Sequence, residues 1–154
     1  MTLYHTAQNI EASALGQTIR ESTWLFPAIE STHLLALALL GGSILIMSLS
    51  ILGWGLSTPV AELYKSAHRY LNTAVVALLV TGVLLGISEP VKLYGREAFW
   101  VKMIALAMAL VITYFAFNPL VRRGASGLRL RGVTVVTIAA WLVVAMAGRW
   151  IGFS

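Results

Sequence analysis

Four long apolar runs set the pattern of this chain, and polar or turn-forming residues close each one. Between Pro27 and Pro59 the only ionisable groups are Glu30 and His33. A second run follows the polar stretch from Glu62 to Asn72, a third follows Glu97, and a fourth lies between Arg131 and Arg149. These runs predict helices over about 27–57, 66–88, 98–118 and 132–150, close to or above the ~20 residues that cross a bilayer core. In hydrocarbon the backbone N–H and C=O groups must be satisfied within the segment, which makes the helix the form such runs take. The pattern therefore predicts an all-α integral membrane four-helix bundle, a single domain over residues 26–154.

Residues 1–25 are too polar to span. They lack the basic start and apolar run of a cleavable signal peptide, so they are expected to stay attached. Ile10, Ala14 and Ile19, with Trp24 and Phe26, predict a short interfacial segment that leads to Pro27, where the first spanning helix is expected to begin. A short frayed tail fits the same residues. The stretch EPVKLYGRE, residues 89–97, mixes signs with Pro and Gly and predicts a turn outside the membrane. The stretch RRGASGLRLRG, residues 122–132, is the strongly basic loop.

Composition removes whole classes of function. With 58% hydrophobic residues among 154 and a mean hydropathy of +0.83, the chain lies outside the soluble globular range. Its +5 net charge gathers at the ends of apolar runs, which points to lipid headgroups and not to nucleic acid. Cysteine is absent, excluding disulfides, iron–sulfur clusters and thiolate catalysis. No Walker loop, HExxH or dinucleotide fingerprint occurs, and no Ser–His–acid set is suggested by spacing. The loops after the first and third spans carry Lys65, Arg69, Arg122, Arg123, Arg129 and Arg131, while the opposite side carries five of the six Glu. The arginine loop decides the orientation: it is expected in the cytoplasm, with both termini periplasmic, in a bacterial inner membrane.

Polar groups inside a span are expensive and mark candidate sites. Glu30 and His33 are three apart and share a helix face. At ~1.5 Å per residue, His33 lies ~15 Å outward of the middle of the first helix and Lys102 ~9 Å outward of the middle of the third, in one leaflet. By the same rise His68 lies ~28 Å from His33 along the membrane normal, so the two histidines cannot ligate one iron within a protomer. This leaves an outer group of Glu30, His33 and Lys102, beside Trp100 and Met103, and an inner group of His68, Asn72 and Met47. Imidazole is an established axial haem ligand, and a helix bundle makes a natural haem cage. A two-fold dimer could also sandwich a haem between two copies of His33 or of His68. The alternative for the outer group is a buried Glu30–Lys102 ion pair. The alternative for His68 is a histidine reaching solvent or headgroups. Met47, Met108 and Met146 read as core filler.

The run IRESTWLFPAIESTHLLALALLGGSIL, then LLVTGVLLG, then FWVKMIALAMAL, resembles a group of uncharacterised bacterial four-helix membrane proteins classed only as a domain of unknown function. The resemblance covers residues 19 to about 112 and centres on Glu30, Ser31, Thr32, His33 and on Phe99, Trp100, Val101, Lys102. More distantly, the helix 1 histidine with a helix 3 lysine is similar to the four-helix bacterial protoporphyrinogen oxidases and the CopD-type copper-resistance proteins. That resemblance implies haem and activity for His33 and Lys102. Where members of the unknown-function group tend to carry Asp-Leu-Arg near the end of the first helix, this chain has Ser48, Leu49 and Ser50.

The resulting expectation is a b-type haem protein that transfers electrons with quinone or a redox partner, more an electron-transfer subunit than a self-sufficient enzyme. His33 would be the axial ligand and thus the metal-binding residue. Glu30 would orient it and Lys102 would neutralise a propionate or supply the other ligand, with His68 as a further candidate cofactor residue. The alternatives are a haem-free interaction subunit clamped by Glu30 and Lys102, and a copper or porphyrin handler.

Overall fold

The computed structural model describes residues 2–54 and 58–153, and every regular element among them is helical. In chain order these are α1 (Thr2–Glu11), α2 (Ala14–Glu21), α3 (Leu25–Leu52), α4 (Val60–Ser88), α5 (Pro90–Tyr94), α6 (Glu97–Val111), a π-helical segment (Ile112–Phe117), α7 (Asn118–Arg122) and α8 (Leu128–Phe153). Four helical stretches are long and apolar enough to cross a membrane: Leu25–Leu52, Val60–Ser88, Glu97–Arg122 and Leu128–Trp150. The chain is a membrane-spanning four-helix bundle.

The helix limits depart from the expected ones for local reasons. α3 begins at Leu25, because Pro27 falls in its first turn, where a missing N–H leaves no bond unmade. The Ser22 hydroxyl accepts from the Leu25 N–H at 3.1 Å and closes the entry. α3 stops at Leu52, short of the expected 57, since Gly53 takes φ +80°. Its N–H donates to Ser50 O at 3.2 Å and that of Trp54 to Leu49 O at 2.9 Å, the paired bonds of a Schellman end. Residues 55–57 lie outside the described ones. α4 begins at Val60 and not 66, because Tyr64, Ala67, Leu71, Ala74 and Leu78 form one buried stripe at helical spacing.

The third span continues beyond Asn118, its expected end, to Arg122. Pro119 has no N–H and its ring would meet the carbonyl four residues back in an ordinary α-helix. The preceding turns widen to a π-helix instead, in which the Asn118 N–H donates to Thr113 O. The segment is tied to α8 by Trp141, whose Nε1–H donates to Thr113 Oγ1 at 2.9 Å. Gly124, at φ +63°, then closes α7. The fourth span begins at Leu128 and not 132, so Arg129 and Arg131 sit on its first turns.

α3 packs along α4, α6 along α8, and α3 across α8, while α7 returns to α4. α4 meets the third span through α7 and through Tyr114 of the π segment, whose hydroxyl donates to Asn72 Oδ1. Leu40, Met47, Leu71, Ala74, Ala109 and Phe117 are fully buried between the helices. Met47 is core filler as expected, but Met108 and Met146 face outward and belong to the lipid-facing surface.

The N-terminal stretch forms a helical hairpin seated on protein. Ser13 starts α2 by accepting from the Gly16 N–H at 3.3 Å and donating to Ile10 O at 2.6 Å. Ala7, Gly16 and Ile19 are buried, whereas Ile10 and Ala14, two of the three residues expected on the apolar face, are exposed. A Cβ at Gly16 would stand 3.0 Å from the carbonyl oxygens of both Ile10 and Ile87, so glycine lets α2 approach α4. Glu11 locks the hairpin by accepting from Arg20 Nη1 at 2.7 Å and from the Val91 N–H at 3.4 Å.

Candidate functional site

Half-way exposure at His33 is the starting point. The residue lies two turns into α3 and is half-buried. It faces α4, where its Cε1 sits 3.5 Å from where a Cβ on Gly82 would stand. Its Nδ1 is 2.8 Å from the hydroxyl of buried Thr81.

That hydroxyl has one hydrogen, and it goes to Ala77 O at 2.6 Å, the back-bonding usual for a threonine inside a helix. With that hydrogen on Ala77 O, Thr81 Oγ1 accepts from His33 and the ring proton is on Nδ1. Nε2 is left as the basic nitrogen. It has no protein partner among the described residues and is not one of the polar atoms shut off from the surface. An imidazole whose Nδ1–H is fixed by an acceptor and whose Nε2 lone pair faces outward is the arrangement of a histidine ligand with its supporting hydrogen bond.

Lys102, five residues into α6, belongs to the same end of the bundle as His33, eight residues into α3. Its Nζ lies 3.5 Å from where a Cβ on Gly148 of α8 would stand. Two glycines thus make room for the two polar side chains. Glu30 is exposed and neither orients His33 nor pairs with Lys102 among the described residues. The orienting role expected of Glu30 is taken by Thr81, and the buried Glu30–Lys102 clamp is not formed. Thr81 was missed because a threonine in an apolar helix carries no chemical signal by itself. Its signal is positional: Thr81-Gly82 lies near the end of a helix antiparallel to α3, which carries His33 near its start.

His68 is elsewhere. Thirteen residues of α4 separate it from Thr81, about 20 Å of helix, still too far to share an iron with His33. Its Nε2 accepts from Asn72 Nδ2 at 3.1 Å, and Asn72 Oδ1 accepts from the Tyr114 hydroxyl at 2.7 Å. Its ring stacks on Tyr64 with centroids 4.9 Å apart. This is a second polar group, on the arginine-loop side, of which sequence reasoning reached only His68 and Asn72; Met47, expected beside them, belongs to the apolar core.

Among the described residues no three His, Asp or Glu side chains gather to hold a bare metal ion. His33 offers a single nitrogen.

A family model described as a family of unknown function, DUF6644, matches residues 8–154. No curated protein and no solved structure matches the chain.

Proposed function

We propose that this chain, which belongs to the DUF6644 family of unknown function, is a b-type haem-binding protein of the bacterial inner membrane that passes electrons to or from quinone or a redox partner. The observation that carries the reading is the 2.8 Å contact between His33 Nδ1 and Thr81 Oγ1: with the Thr81 hydrogen on Ala77 O, Thr81 accepts the Nδ1–H and Nε2 is left to bind iron. A porphyrin supplies four of an iron's ligands, so one protein nitrogen suffices, whereas copper held by side chains alone would need more donors than this end of the bundle brings together. A b-type haem bound here supplies one-electron chemistry.

The chain's own contribution is positional and electrostatic. Thr81 holds the imidazole plane and raises the basicity of Nε2. Lys102 supplies a positive charge at the same level, suited to a haem propionate. His33, half-buried and close to the mouth of the bundle, keeps the site near the membrane surface opposite the arginine loop, on the periplasmic side if that loop is cytoplasmic.

Haem titration into the purified protein in lipid, followed by its visible spectrum, tests this. His33→Ala abolishes saturable binding, while His68→Ala retains most of it. Equal loss from both substitutions overturns the assignment to His33.

A further inference from the structure

Most hydroxyls inside the spans are satisfied on their own helix: Ser43, Thr73, Thr113, Thr134 and Thr137 each donate to the carbonyl four residues back. The arginine-loop end breaks this rule. Ser48 Oγ, Tyr64 Oη, His68 Nδ1 and both amide atoms of Asn118 are buried without a protein partner among the described residues.

These atoms share a level. Ser48 lies four residues before the end of α3, Tyr64 four after the start of α4, and Asn118 four before the end of α7, each about 6 Å from its helix end. α4 packs on both α3 and α7. His68 is one turn deeper than Tyr64 and stacked on it. Because Asn72 donates to its Nε2, the His68 ring proton is on Nδ1, which makes that unpartnered atom a donor. The π segment ends at Phe117, and α7 starts at Asn118. Arg122 is exposed at the end of α7.

Buried polar atoms left unmatched are costly, and several at one level on adjoining helices are not left dry when a small partner can reach them. The set contains two hydroxyls, an amide and an imidazole N–H, so it both donates and accepts and carries no fixed charge. The partner that matches is neutral, small and bifunctional. We propose that the arginine-loop end of the bundle holds a buried water-binding site, distinct from the His33 site, in which water bridges Ser48, Tyr64, His68 and Asn118 and exchanges protons with His68 from that end of the protein. The Tyr114–Asn72 pair makes no proton path of its own; it fixes the ring so that Nδ1–H faces the water.

The test uses the full chain in lipid bilayers with 15N-labelled histidine and solid-state NMR in which magnetisation is passed from water to N–H groups. The protein has three histidines, so a His68→Gln spectrum assigns the signal. The expected result is water transfer to His68 Nδ1–H, lost or strongly weakened in Tyr64→Phe and in Ser48→Ala. Absence of transfer to His68 in the wild-type protein, with exposed His5 showing it, overturns the proposal. Transfer that persists unchanged in both variants overturns the shared site.

Discussion

The two ends of the bundle handle a histidine in opposite ways. At His33 the supporting bond is made and Nε2 is not among the buried unpartnered atoms; at His68 the remaining nitrogen, Nδ1, is buried and unpartnered among the described residues. In both, a neighbour on α4 places the ring proton on Nδ1: Thr81 by accepting it, Asn72 by occupying Nε2. The first arrangement exposes a lone pair, which suits a metal ligand; the second aims a donor inward, which suits water. Identical side chains thus acquire different chemistry from which ring nitrogen a neighbour on α4 engages.

Substitutions at these neighbours sharpen the contrast. Thr81→Val removes the acceptor for Nδ1–H and is expected to weaken haem binding about 10–100-fold in a spectral titration. Asn72→Leu, which frees His68 Nε2 instead, leaves that affinity unchanged. A comparable loss from both would mean that the two ends are coupled and that the comparison is mistaken.

Smaller effects separate the ends in stability. Gly16→Ala forces a methyl against two backbone carbonyls where the hairpin meets α4, an overpacking expected to cost about 1–3 kcal/mol. Limited proteolysis between α2 and α3 should quicken, with haem affinity changing little. Trp141→Phe removes the indole bond to Thr113 beside the π segment and is expected to cost about 0.5–1.5 kcal/mol, read as a lower unfolding temperature in detergent. Arg20→Gln breaks a pair with Glu11 that is open to solvent, worth about 0–1 kcal/mol and screened by salt. Its proteolysis rate should approach that of the wild type as ionic strength rises.

The four spans and the level of His33 and Lys102 were legible in the sequence because hydropathy and helix rise report depth directly. Helix ends were legible only where a glycine or proline acts by local rules, and Pro119 misled because a π turn can carry a helix past a proline. Glu30 looked like the partner of His33 because same-helix spacing is visible in one dimension. Thr81, the actual partner, lies 48 residues away, and nothing in a single helix announces a cross-helix bond. The arginine-loop cluster stayed hidden for a related reason: Ser48, Tyr64 and Asn118 are individually unremarkable and gain meaning only from a common level on three packed elements. The N-terminal hairpin was reduced to an amphipathic pattern because its fastening depends on Glu11 reaching Val91, eighty residues on.

The most direct measurement is the visible spectrum, oxidised and dithionite-reduced, of the protein purified in mild detergent from cells supplied with haem precursor. A sharp reduced α band at near-stoichiometric haem is the predicted result. A folded, colourless protein would contradict the haem assignment and leave His33 without the ligand its geometry is argued to serve.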